Sequence, residues 1–227
     1  MHQNDRTKAR QILGKKSEWG NIIDYYIIKL TISNPPKGNT IDTLTPDEEE
    51  AVNYMLNYIF NIDTLYIRDF TVIATLLMFK AQYFELKFLE YLEKLILKGL
   101  EDSKIVNDYF SRKYATTGIL LIRTYSRYGY YDKAEKLIYK LNIIISQEFT
   151  YDFAIYPLFL LKMYEVYNLL RQDNPKAIER ANTVIHYMDA QNDLFPLAYL
   201  FETKNMFIQE VQRLNKTGIP FPTEDEE

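Results

Sequence analysis

The stretch Arg127-Tyr128-Gly129-Tyr130-Tyr131-Asp132-Lys133-Ala134 interrupts two strongly helical patterns, and Arg171-Gln172-Asp173-Asn174-Pro175-Lys176-Ala177 interrupts the chain again in a related way. Gly129 suits a tight turn, Tyr131 an aromatic staple and Ala134 the close approach of a following helix, which are the needs of a tetratricopeptide-type joint. A joint that recurs after one helical hairpin predicts hairpins stacked on one another. The fold class expected is all-α: a tetratricopeptide-like, right-handed superhelical stack of antiparallel helix pairs.

Working outward, the first joint separates helices expected over 103–128 and 131–146, and the second separates 149–171 from 175–190. Upstream periodicity predicts helices over 18–32, 46–60, 63–80 and 83–100, and a last helix over 193–214 closes the stack. Short connections pair neighbours antiparallel. Between the first two helices, Ser33-Asn34-Pro35-Pro36-Lys37-Gly38 is a loop, because paired prolines remove backbone donors and fix φ. Thr45-Pro46-Asp47-Glu48 reads as a helix start: Thr45 caps, Pro46 suits the first turn and Glu48 completes a capping box. Helix 83–100 places Phe84, Phe88, Leu92, Leu95, Ile96 and Leu100 on one side, with Glu85, Glu90, Glu93, Lys94 and Lys98 on much of the other. Helix 149–171 has few charges and so is covered on several sides, and Pro157 is expected to end or kink one turn of it.

Composition narrows the chemistry. Seven Gly and eight Pro in 227 residues are too few for the many special turns of an all-β protein. With no cysteine there is neither a disulfide framework nor a thiolate metal site, a usage that agrees with a reducing, cytoplasmic setting. His2 and His186 cannot form a zinc-protease pair, and no glycine-rich loop precedes a helix, so no catalytic residue, metal site or cofactor is expected and the chain reads as a non-enzyme. His186 lies with Glu179, Asn182 and Asp189 on the polar side of its helix.

The net charge of −4 is matched by Glu224, Asp225, Glu226 and Glu227, which leaves no broad field for nucleic acid. No apolar run approaches the roughly 18 residues of a membrane span. The expected organisation is an N-terminal connector over 1–17, one helical-repeat domain over 18–214 and an acidic tail over 215–227.

Polar residues recur on the otherwise apolar first helices of the hairpins. Arg68, Thr71, Thr75 and Met78 follow one another at spacings of three and four; Arg112, Thr116, Arg123 and Arg127 form a second row, and Tyr156, Met163 and Tyr167 a third. In solenoids the first helix of each pair lines the concave surface, so Arg68, Thr71, Thr75, Met78, Arg112, Thr116, Arg123, Tyr156, Met163 and Tyr167 are the candidate peptide-binding residues. Arg and Thr suit a peptide's carbonyls or terminal carboxylate, and Met and Tyr suit its apolar side chains. The competing reading has each Thr bonding its own helix and the tyrosines packing between layers.

The segment Leu44-Thr-Pro-Asp-Glu-Glu-Glu50, followed by Asn57-Tyr-Ile-Phe-Asn-Ile-Asp-Thr-Leu-Tyr-Ile-Arg-Asp-Phe70, resembles the start of the regulatory domain of Rgg-type transcriptional regulators. Gly129-Tyr-Tyr-Asp-Lys-Ala-Glu-Lys-Leu-Ile138 and Pro175-Lys-Ala-Ile-Glu-Arg-Ala181 are similar to its repeat joints. The likeness spans approximately residues 45–215. It implies a cytoplasmic homodimeric receptor, without a membrane segment, that binds a short quorum-sensing peptide in a groove and so alters transcription. It also implies a helix-turn-helix that residues 1–17 are too short to provide, so DNA would be reached only through an attached or associated module. The alternative is a stand-alone helical-repeat scaffold that grips a partner protein.

Overall fold

The computed structural model describes residues 21–33, 45–79, 85–103, 108–148, 151–194 and 198–221. The connector over 1–17, most of the loop after Ser33 and the last acids of the tail lie outside them. Nine α-helices make up the regular structure of the described residues: α1 Ile22–Ser33, α2 Pro46–Phe60, α3 Ile67–Phe79, α4 Leu86–Ser103, α5 Asp108–Arg127, α6 Tyr131–Glu148, α7 Tyr151–Arg171, α8 Lys176–Leu194 and α9 Ala198–Leu214. The fold is all-α, with extensive packing between helices. It divides into two compact units, Met1–Leu121 and Ile122–Glu227, with α5 contributing to both.

Local chemistry explains most helix ends. Thr45 caps α2 as its sequence demands: its hydroxyl accepts from the Glu48 amide, and the Glu48 carboxylate accepts from the Thr45 amide at 2.9 Å. Helix α3 starts at Ile67 rather than near residue 63. The nearly buried Asp69 carboxylate accepts from the Tyr66 amide (2.6 Å) and the Tyr58 hydroxyl (2.7 Å), which holds the chain outside helical geometry until Tyr66 is capped.

The joints after α5 and α7 are built alike. After α5, Gly129 is left-handed (φ 77°), the Tyr130 amide donates to Tyr125 and the Gly129 amide to Ser126. After α7, Asp173 is left-handed (φ 52°), the Asn174 amide donates to Leu169 and the Asp173 amide to Leu170. Both are Schellman caps, in which the outgoing chain satisfies carbonyls that the helix leaves orphaned. Pro157 does not end α7, which runs through it. The ring lies in the second turn, so only one intrahelical donor is lost there.

In the first unit, Tyr26 and Leu30 of α1, Val52, Met55 and Ile59 of α2 and Phe70, Ile73 and Leu76 of α3 are buried. Helix α4 buries Phe88, Leu92, Leu95, Ile96 and Leu100 and turns Lys94 and Lys98 outward, as its pattern requires. Gly99 is where α4 meets α5. The Tyr114 ring lies against the glycine, meets Phe70 edge-on with centroids 4.7 Å apart and directs its hydroxyl toward the Leu65 carbonyl. A side chain at 99 would occupy the ring's place.

In the second unit, Met163, Val166, Tyr167 and Leu170 of α7, Ala177, Ile178, Ala181, Val184 and Met188 of α8, and Phe207, Ile208 and Val211 of α9 form one core, closed by Phe221. His186 is exposed on the opposite side of α8. The C-terminal turns of α5, α7 and α9 come together: the Arg171 guanidinium donates to the Ser126 hydroxyl (3.2 Å) and lies 3.7 Å from Glu210. The C-terminal ends of α5, α7 and α9 thus lie together, and α8 packs against both α7 and α9.

Candidate functional site

Two polar constellations emerge, one in each unit. In the first, a groove of about 530 Å³ between α1 and α3 is lined by Asp24, Ile27, Ile28, Ile67, Arg68 and Thr71. Arg68 pairs with Asp24 at 3.5 Å, with both side chains close to half exposed, so the pair is open to competition from solvent or a ligand. Ile67 is 54% exposed and Ile28 37%. The groove therefore combines apolar walls with one separable ion pair.

Of the candidate peptide-binding residues in this unit, Arg68 and Thr71 share that groove. Thr75 is buried and its hydroxyl donates to the Thr71 carbonyl one turn back; the partly buried Thr116 does the same toward Arg112, itself exposed. Met78 lies in the last turn of α3, and its side chain is outside the described residues.

In the second unit, Tyr156 is 43% exposed, whereas Met163 and Tyr167 are inside the core, Tyr167 meeting Tyr164 edge to face and Phe207 at a tilt. Arg123 is half-buried on α5 and belongs to the second constellation. The register of α5 places Arg127 one turn further along the same face, next to the Ser126–Arg171 contact. Both oxygens of Glu210 are taken by Arg213, at 2.6 and 2.7 Å. Arg213 and Arg171 thus meet the single carboxylate of Glu210, while Arg127 and Arg123 lie close enough for their charges to act on this cluster.

The electrostatics follow from that imbalance. Enclosure among the helix ends, together with the like charges of Arg123 and Arg171, lowers the Arg127 guanidinium to about 10 although part of its side chain remains exposed. Burial is the main reason Arg171 also lies below its ordinary value; Glu210 opposes the shift, and the charges of Arg213 and Arg123 add to it. Burial alone would raise the Glu210 carboxyl, but the bond from Arg213 and the surrounding cations hold it below its ordinary value. Burial drives the Tyr167 phenol upward. The sequence signal for this cluster was the Arg that opens each of the two joints; Glu210 and Arg213 carried none.

A second, smaller recess of about 230 Å³ between α6 and α7 is bordered by the Lys162–Glu165 pair (3.0 Å) and Asn168. Among the described residues there is no group of three or more His, Asp or Glu able to hold a metal ion, and no helix is long and apolar enough to cross a membrane. No protein family, curated protein or solved structure matches the chain.

Proposed function

We propose that this chain is a tetratricopeptide-like regulatory module that binds a short apolar signalling peptide and passes the binding event to an attached or associated DNA-binding partner. The observation that carries the reading is the α1–α3 groove, where Ile28 and Ile67 stand exposed beside Arg68 and Thr71. Exposed aliphatic walls take apolar side chains, while a guanidinium and a hydroxyl satisfy backbone carbonyls or a terminal carboxylate. The paired Schellman joints and the meeting of the α5, α7 and α9 C-terminal ends support the repeat architecture. In this reading peptide competes with Asp24 for Arg68 and so biases the packing of α1 against α3, which is how binding shifts the population of a regulatory state. Homodimerisation and a cytoplasmic location belong to the same proposal.

Calorimetry of the purified chain with free-terminus peptides of Leu, Ile and Trp tests it. The expected result is saturable binding that weakens by roughly tenfold in Arg68→Ala, the loss of one charge-assisted hydrogen bond. Saturable binding indifferent to Arg68→Ala and Ile67→Ser would remove the groove from the proposal. Binding to a folded partner protein but to no short peptide would favour the scaffold reading.

A further inference from the structure

The second constellation is not used by the peptide reading. Arg127 and Arg171 end α5 and α7, where the negative ends of the helix dipoles favour a cation, and this accounts for part of their presence. It does not account for all of it. The converging helix ends supply about half a negative charge each, so with Glu210 they leave an excess of roughly one and a half positive charges among the four guanidiniums. Glu210 is already committed to Arg213 through both oxygens, and its contact with Arg171 is the longer one, 3.7 Å. Among the described residues neither Arg123 nor Arg127 makes an ion pair. Arrays of like charge held together by a fold are costly unless a counter-charge joins them.

We propose that the C-terminal ends of α5, α7 and α9 form an oxyanion site, in which Arg123, Arg127 and Arg171 bind a small dianion. Guanidinium forks match phosphate and carboxylate oxygens, and the Ser126 hydroxyl, already bonded to Arg171, offers a neutral donor beside them. The local excess of positive charge matches a dianion better than a monoanion. A phosphate group and a dicarboxylate share this chemistry. Bound there, either would neutralise the repulsion among α5, α7 and α9 and tighten the second unit.

The test uses the whole chain and thermal unfolding with inorganic phosphate, succinate, acetate, or sodium chloride at matched ionic strength. At about 10 mM the dianions are expected to raise the midpoint by roughly 2 °C beyond the chloride control, with acetate indistinguishable from chloride. Phosphate alone active would assign a tetrahedral ligand, and both active a dianion of either shape. Arg127→Gln and Arg123→Gln should each weaken the dianion by roughly tenfold. Each should also raise the midpoint of the ligand-free chain, because each removes like-charge repulsion. Lys136→Gln, on the exposed face of α6, should leave the dianion effect unchanged. Equal stabilisation by chloride at matched ionic strength overturns the site. So does a dianion effect that survives both arginine substitutions, and so does a lower ligand-free midpoint in both, which would make the arginines structural partners.

Discussion

Gly99→Ala separates helix propensity from packing, because the two predict opposite signs. Judged as an interior position of α4, the substitution should stabilise by about 1 kcal/mol, the difference between alanine and glycine in a helix. The structure predicts the reverse. A methyl group at 99 would coincide with atoms of the Tyr114 ring, which is 5% exposed and held edge-on by Phe70. The ring cannot swing aside without losing its aromatic contact, and expelling it resembles deleting a buried aromatic, about 3–5 kcal/mol. Parting the helices instead costs about 1–3 kcal/mol. After the propensity gain, a net loss of about 2 kcal/mol is expected, measured by urea unfolding followed by far-ultraviolet circular dichroism. In a Tyr114→Ala background the same substitution should change sign and stabilise by up to about 1 kcal/mol, since no ring remains to meet the methyl. A Gly99→Ala chain at least as stable as its parent would refute the close approach of α4 and α5.

The two Schellman joints make a mirrored pair of predictions. Asp173→Gly should stabilise by up to about 1 kcal/mol and Gly129→Ala should destabilise by about 1 kcal/mol, both seen in the urea midpoint, because only glycine adopts the left-handed conformation freely and space around Gly129 is open. Thr45→Ala should cost about 1 kcal/mol through loss of the α2 cap, and hydrogen exchange should quicken in the first turn of that helix first. At alkaline pH, the bond from Tyr58 to Asp69, burial and the nearby carboxylate charge raise the phenol to about 12. A phenol whose folded value is raised contributes stability that is complete below pH 10 and is lost as pH climbs toward 12. Ultraviolet phenolate titration should therefore show one fewer late-titrating tyrosine in Tyr58→Phe than in the parent chain, where Tyr91, Tyr114 and Tyr167 are also raised. At the acid end Glu210, held below its ordinary value, contributes stability above that value that is lost as pH falls through its lowered one, and Glu210→Gln should flatten that limb of a denaturation profile.

Much of the helical framework was legible because helix signals are local. Thr45 and Glu48 lie three residues apart, and that spacing alone brings each within reach of the other's amide. The apolar stripe of α4 and the polar face of α8 follow from the helical period, and the Gly129 joint from glycine's freedom at positive φ. The start of α3 was less legible, because Asp69 works with a tyrosine from the preceding helix. The candidate site was only partly readable. Arg68 and Thr71 lie side by side in one groove, but Thr75 and Thr116 turn their hydroxyls onto their own helices, a choice that spacing does not reveal.

What the sequence determined by itself was where the chain is helical, where it turns and which face of many helices is apolar, since each depends on residues within a turn or two of one another. Which helix ends converge, which glycine receives a ring and which arginines share a carboxylate were decided only by tertiary structure. Arg127, Arg171 and Glu210 are distant along the chain, and their charges interact because three helices finish together in space.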